Sequence, residues 1–198
     1  MARGLTSRPF KAKRSGIEVR LEPHERTLLV HLLRQLDDLL DDGSPPSEDP
    51  LAELLGMPDV AIDPDVGPQP PDDPALARLF PEANRDDAEA AAEFRRFTEQ
   101  GLRARKRTGA RRSAEALEGS EPVLLDDEQA AALLKALTDL RLVLGERLGL
   151  QTDEDSERLH TLLAVGAGDE SWTAAAATYD MLTWWQEALV GAVGSRRS

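Results

Sequence analysis

From residue 23 onwards, apolar side chains recur every three or four positions, the interval at which a helix buries one face. Leu29, Leu32, Leu33, Leu36, Leu39 and Leu40 form one such stripe, with Pro23 in the first turn and Gly43 as its stop. DPLAELLG (residues 49–56) and DPALARLF (residues 73–80) read as short helices opened by proline. Asp86 followed by Glu89 has the spacing of a capping box and predicts a long helix to about Leu117, closed by Gly119. Gly101 and Gly109 weaken it by roughly 1 kcal/mol each against alanine and are expected to mark bends or close helix contacts. Leu133, Leu137, Leu140, Leu144 and Leu148 define a further helix from Asp126 to Gly149, and residues 171–193 a last one before a basic tail, SRRS. Elsewhere the period is two. Ile17, Val19 and Leu21 alternate with Glu18, Arg20 and Glu22 behind a Ser15-Gly16 turn, which predicts a hairpin. EPVLLD (residues 121–126) reads as an extended piece able to add a third short strand near 121–125.

The expected fold class is therefore mainly α: one compact multi-helix domain over residues 1–198 with a small N-terminal β-hairpin. Two stretches lack periodicity. Residues 57–74 hold six prolines and five aspartates and read as a surface loop. Residues 150–170 are polar and acidic and read as a mobile acidic loop.

Composition narrows the class. Apolar residues make up 40% of the 198, much of it alanine, and aromatics only 4%, which suits leucine and alanine packed between helices. There is no cysteine, so disulfides, thiolate catalysis and Cys-ligated zinc are absent. The N-terminus has no apolar run of the secretory kind, and no stretch approaches the ~18 apolar residues of a membrane span, so the chain reads as soluble and cytoplasmic.

Charge changes the picture most. The net charge is -13, yet residues 94–112 carry eight Lys or Arg and one acid. At 100° per residue, Arg95, Arg96, Arg103, Lys106, Arg107 and Arg111 fall within about 160° of one helix. Residues 15–94 hold 20 acids and five bases, so this face has carboxylates of its own chain to meet. Self-neutralisation is the default expectation, and an acidic protein partner the leading functional alternative. Direct DNA or RNA contact is the weaker alternative, because the surrounding field repels phosphates and aromatics for base stacking are missing. The acids at Asp37, Asp38, Asp41 and Asp42 end a helix where its dipole disfavours them, which points to a positive group there.

Other features carry less. In the pair Trp184-Trp185, Trp185 fits the apolar face with Tyr179, Leu182, Leu189 and Val193, and Trp184 lies towards the edge with Met181 and Ala188. Packing against a neighbouring helix is the simpler role for Trp184, and a partner anchor the functional one. His24 and His31 stand seven apart on one helix without further ligands, and His160 sits in the acidic loop. The acid clusters lack the spacing of a calcium loop. No nucleophile constellation or phosphate loop is present, so neither catalysis nor a cofactor or metal is expected. A Trp-bearing last helix also allows a homodimer.

Six phrases taken together resemble a known family: DPLAELLG (49–56), DPALARLFP (73–81), RDDAEAAAEFRR (85–96), TEQGLRARK (98–106), LKALTDLRLVLGERLG (134–149) and YDMLTWWQEALV (179–190). In order and spacing they are similar to the actinobacterial AosR-like oxidative-stress transcriptional regulators, a family formerly labelled a domain of unknown function. The resemblance covers nearly the whole chain. It implies a non-enzymatic regulator that contacts a sigma factor or RNA polymerase, encoded beside the protease adaptor ClpS. An accessory role in Clp-type proteolysis is the alternative it leaves open. If oxidant sensing in the family uses a cysteine pair, this chain departs from it, and oxidation of Met57 or Met181 would be a poor substitute. The partner-binding residues expected are Arg95, Arg96, Arg103, Lys106, Arg107, Arg111 and Trp184.

Overall fold

The computed structural model of the chain describes residues 8–41, 71, 73–80, 88–119, 121–164, 166 and 168–197. The short helix expected over 49–56, and the Pro/Asp-rich loop as far as residue 70, lie outside the described residues, as do the side chains of Arg95, Arg96 and His160.

The molecule is mainly helical with a small antiparallel sheet. β1 (Phe10–Lys13) and β2 (Gly16–Val19) form the hairpin, in register Phe10 to Val19 and Lys13 to Gly16. Their alternation works as the pattern requires, burying Phe10 and Ile17 and exposing Lys11 and Lys13. β3 (Leu124–Leu125) joins the free side of β2, completing the order β1-β2-β3, and the Val19 amide donates to the Val123 carbonyl at 3.0 Å. Gly16 is required where these strands meet, since a Cβ there would collide with the Leu125 carbonyl oxygen.

α1 (Pro23–Leu39) begins with the Glu22 amide donating to Glu25 Oε2 at 2.8 Å, and it buries Leu29, Val30, Leu33 and Leu36. α2 (Pro74–Leu79) is capped by Asp73, whose Oδ1 accepts from the Ala75 amide at 2.9 Å. α3 (Ala88–Glu118) is the long helix, and it runs unbroken through Gly101 and Gly109. A Cβ at Gly109 would meet nothing within 4 Å, so that glycine does not mark a close helix contact. α4 (Asp127–Arg147) is opened by a reciprocal cap, with Gln129 N on Asp126 Oδ1 at 2.8 Å and Asp126 N on Gln129 Oε1 at 3.0 Å.

Two stretches differ from the sequence expectation. Inside the loop predicted over 150–170, Asp153–Ala164 forms a helix, α5. Its cause is local: the Asp155 carboxylate accepts from the amides of Gln151 (3.0 Å) and Thr152 (2.9 Å), and Thr152 Oγ1 accepts from the Asp155 amide (3.2 Å). Acids that look like loop composition also suit the first turn of a helix, and Leu159 anchors α5 by burial. The last helix, α6 (Glu170–Arg197), continues past residue 193 through the basic tail as far as Arg197, with Arg196 Nη1 2.9 Å from Asp127 Oδ1 at the start of α4.

α4 is the central element. It packs against α1, α2, α3, α6 and the sheet, while α1 lies on α3 and α6 covers β1. The core runs from Phe10 and Ile17 of the hairpin through Leu33, Leu117, Leu133 and Leu137 to Trp185 and Leu189. Each fully buried Leu in it stabilises by roughly 1.5–3 kcal/mol.

Candidate functional site

α3 brings its cations to two neighbours. Ala110 and Ala114 are buried on this helix, and such small residues keep adjoining helices within reach of long side chains. Towards α1, Arg107 Nε donates to Asp37 Oδ1 at 2.9 Å and Nη1 to Asp41 Oδ1 at 2.7 Å, while Arg111 Nε takes the other oxygen of Asp37 at 2.8 Å. Arg103 donates to Glu99 one turn back at 2.7 Å and to the Leu40 carbonyl at 3.4 Å, with its guanidinium 4.6 Å from the centre of the Phe80 ring. Arg103 and Arg107 thus supply positive charge at the acidic end of α1, where the helix dipole wants it. Towards α4, Lys106 Nζ lies 2.5 Å from Asp139 Oδ1, and Arg112 reaches Glu128 at 2.9 Å. Arg34 of α1 pairs with Glu118 at the end of α3.

The electrostatics follow this geometry. Burial pushes the Asp37 carboxyl up, but the hydrogen bonds from Arg111 and Arg107 outweigh it and hold it below the usual carboxylate range. Burial likewise opposes the charge on Arg107, and Asp37 and Asp41 more than compensate, raising it. At Asp139 burial wins: the carboxyl is raised, and Lys106 offsets only part of the effect. Asp139 is 5% exposed and sits on the flank of α4 beside Ala136 and Val143.

The expected partner-binding residues are thus placed as follows. Arg103, Lys106, Arg107 and Arg111 each engage a carboxylate of the same chain. Arg95 and Arg96 lie on α3 but their side chains are outside the described set. Trp184 is half-buried and packs against the core with Met181 and Ala188, while Trp185 is 0% exposed. His24 and His31 are exposed.

Sequence reasoning passed over a polar seam between α4 and α6. Arg141 donates to Gln186 Oε1 at 2.7 Å and to the Tyr179 hydroxyl at 3.4 Å, with its guanidinium 5.3 Å from the Tyr179 ring centre. Gln186 in turn donates to Thr138 Oγ1 at 2.9 Å. Leu142 and Val190, on the same two helices, are 40% and 54% exposed. Among the described residues no group of three or more His, Asp or Glu converges as a metal site would need. No described helix is long and apolar enough to cross a membrane.

No curated protein matches the chain, and no solved structure does. A family model described as "Domain of unknown function (DUF2017)" matches residues 7–193, nearly the whole chain. The length of that match shows that the chain belongs to the DUF2017 family.

Proposed function

We propose that the chain is a non-enzymatic, AosR-like transcription regulator of the cytoplasm that acts by contact with a sigma factor or RNA polymerase. What carries this reading is the order and spacing of the six phrases between residues 49 and 190, which lie within the stretch matched by the family. Geometry adds a preference between partners. A nucleic acid gripping α3 would have to displace Asp37, Asp41 and Asp139 from Arg107, Arg111 and Lys106. A protein has other surfaces to use, since Leu142 and Val190 offer apolar contact beside the Arg141 seam.

Docking on Arg103, Lys106, Arg107 or Arg111 is an exchange of ion pairs, and Arg111, with its side chain 47% exposed, is the most accessible of these four. Reversing Arg103, Lys106 and Arg107 to Glu sets a carboxylate against Asp139 and takes one of two guanidiniums from Asp37, so it tests stability together with docking.

The experiment is tagged capture from lysate of the source cell, read by mass spectrometry, with Arg111→Gln as the docking variant. Enrichment of a sigma factor or polymerase supports the regulator. Enrichment of Clp components instead supports an accessory role in proteolysis. Capture of neither refutes the reading.

A further inference from the structure

Arg103, Lys106, Arg107, Arg111 and Arg112 of α3 are matched within the fold, and a further group of exposed cations lies on the hairpin. Residues 8–20 carry five cations, Arg8, Lys11, Lys13, Arg14 and Arg20, against one carboxylate, Glu18. All five cations are exposed. Lys13 Nζ and Arg20 Nη2 converge on the same Glu18 oxygen at 3.4 and 2.7 Å, which places the three on one face. Lys11 stands opposite Glu18 in the β1–β2 register and alternates in step with Lys13, so it belongs to that face too. Among the described residues no carboxylate pairs with Arg8, Lys11 or Arg14.

We propose that the outer face of the β1–β2 hairpin docks an extended acidic segment of a partner protein on Lys11, Lys13, Arg14 and Arg20. This rests on the reading of the chain as one that works by protein contact, and names the surface and the partner chemistry. The charges are complementary, and so is the spacing. Alternate residues of an extended strand recur about every 7 Å on one face, so carboxylates at every second position of the segment meet Lys11 and Lys13 in turn. The face is preorganised, because Phe10 and Ile17 beneath it are 1% and 0% exposed and fix the hairpin to the core.

A nucleic acid suits this face less well. The four-residue strands span only about 13 Å. A longer polyanion would extend beyond the strands of a chain whose net charge of -13 repels it. Phe10, the hairpin's aromatic, is buried and unavailable for base stacking.

The test is fluorescence anisotropy of a short labelled peptide of alternating Glu and Ser, titrated with the full chain at low and physiological salt. Wild type is expected to bind, more weakly as salt rises. Lys11→Gln/Arg14→Gln, which breaks no ion pair in the fold, should weaken binding about tenfold through loss of two exposed contacts. Lys135→Gln, at an exposed cation of α4, should leave it unchanged. An unbound peptide overturns the proposal: the lysines then serve only to keep a strand edge from pairing, or the chain's own acids hold them. Equal loss with Lys135→Gln overturns it as unspecific attraction, and tighter binding of a mixed-sequence duplex DNA overturns it in favour of nucleic acid. The two readings fail separately, since an unbound peptide with capture of polymerase intact rejects the hairpin alone, whereas absent capture with the peptide bound rejects the regulator.

Discussion

Replacing Lys106 by Met should destabilise the fold far more than an ordinary change of a helix surface lysine. Asp139, its partner 2.5 Å away, has a side chain only 7% exposed, and Lys106 itself is 17% exposed. Removing one member of a buried pair leaves the other charge without compensation, at a cost of about 3–5 kcal/mol. Water that reaches the ammonium places this pair at the lower end, about 3 kcal/mol. For a chain of this length that corresponds to a fall in Tm of roughly 6–12 °C. The pH dependence has a definite sign. Burial raises the Asp139 carboxyl, and Lys106 holds part of that rise back. A carboxyl raised in the folded state binds more protons folded than unfolded, so its favourable contribution is full below about 3.9 and is lost as pH rises through the raised value. Without Lys106 the raised value moves higher, so the variant's deficit is greatest at neutral pH and narrows on acidification. The double variant Lys106→Met/Asp139→Leu should recover most of the loss, because a packed apolar pair replaces a stranded charge. Urea unfolding at neutral and mildly acidic pH measures all three quantities. A loss below about 1 kcal/mol, the range of exposed pairs, or a double variant no better than the single one, would refute the reasoning.

Arg107→Met should cost about 2 kcal/mol at neutral pH through the contacts to Asp37 and Asp41. Asp37 is held low when folded, so that stability is present above about 3.9 and lost as pH falls through the depressed value; the gap between variant and wild type in urea midpoint should close in strong acid. Gly16→Ala should cost about 2 kcal/mol by forcing β2 from β3, and amide exchange at Val19, which bonds Val123, should quicken while α5 is unaffected. Trp185→Phe should be milder than Trp185→Ala, at about 3–5 kcal/mol for the latter, because the buried indole Nε1 has no hydrogen-bond partner to lose; chemical unfolding of both variants checks the order.

The helices were legible because their boundaries are written locally. Pro23, Asp73 and Asp126 announce starts, Gly119 and Gly149 announce stops, and the leucine stripes give the buried faces. The alternation at Ile17 and Val19 predicted the hairpin, and Leu124–Leu125 supplied the third strand where the extended phrase allowed one. α5 was missed because its acids outweighed the Thr152-to-Asp155 spacing, which is itself a cap signal. At the site, the circumference rule gave the positive face of α3 but not its neighbours: Arg107 and Asp37 stand 70 positions apart in sequence. Asp139 drew no notice because an aspartate beside an apolar stripe looks like its polar border, and only the approach of Lys106 shows that it is covered. The surplus on the hairpin became visible by subtraction, once the louder cluster had found its partners.

The same ionic contacts bear on how this chain can change over evolutionary time. Arg107 of α3 holds Asp41, and Arg147 of α4 holds Asp73 at 2.6 Å. The two ends of the stretch 42–72 are therefore each tied to a different helix of the frame. Each cation and its aspartate are then expected to vary together among relatives, since a change of one partner alone removes the contact that the other makes at these two anchor points.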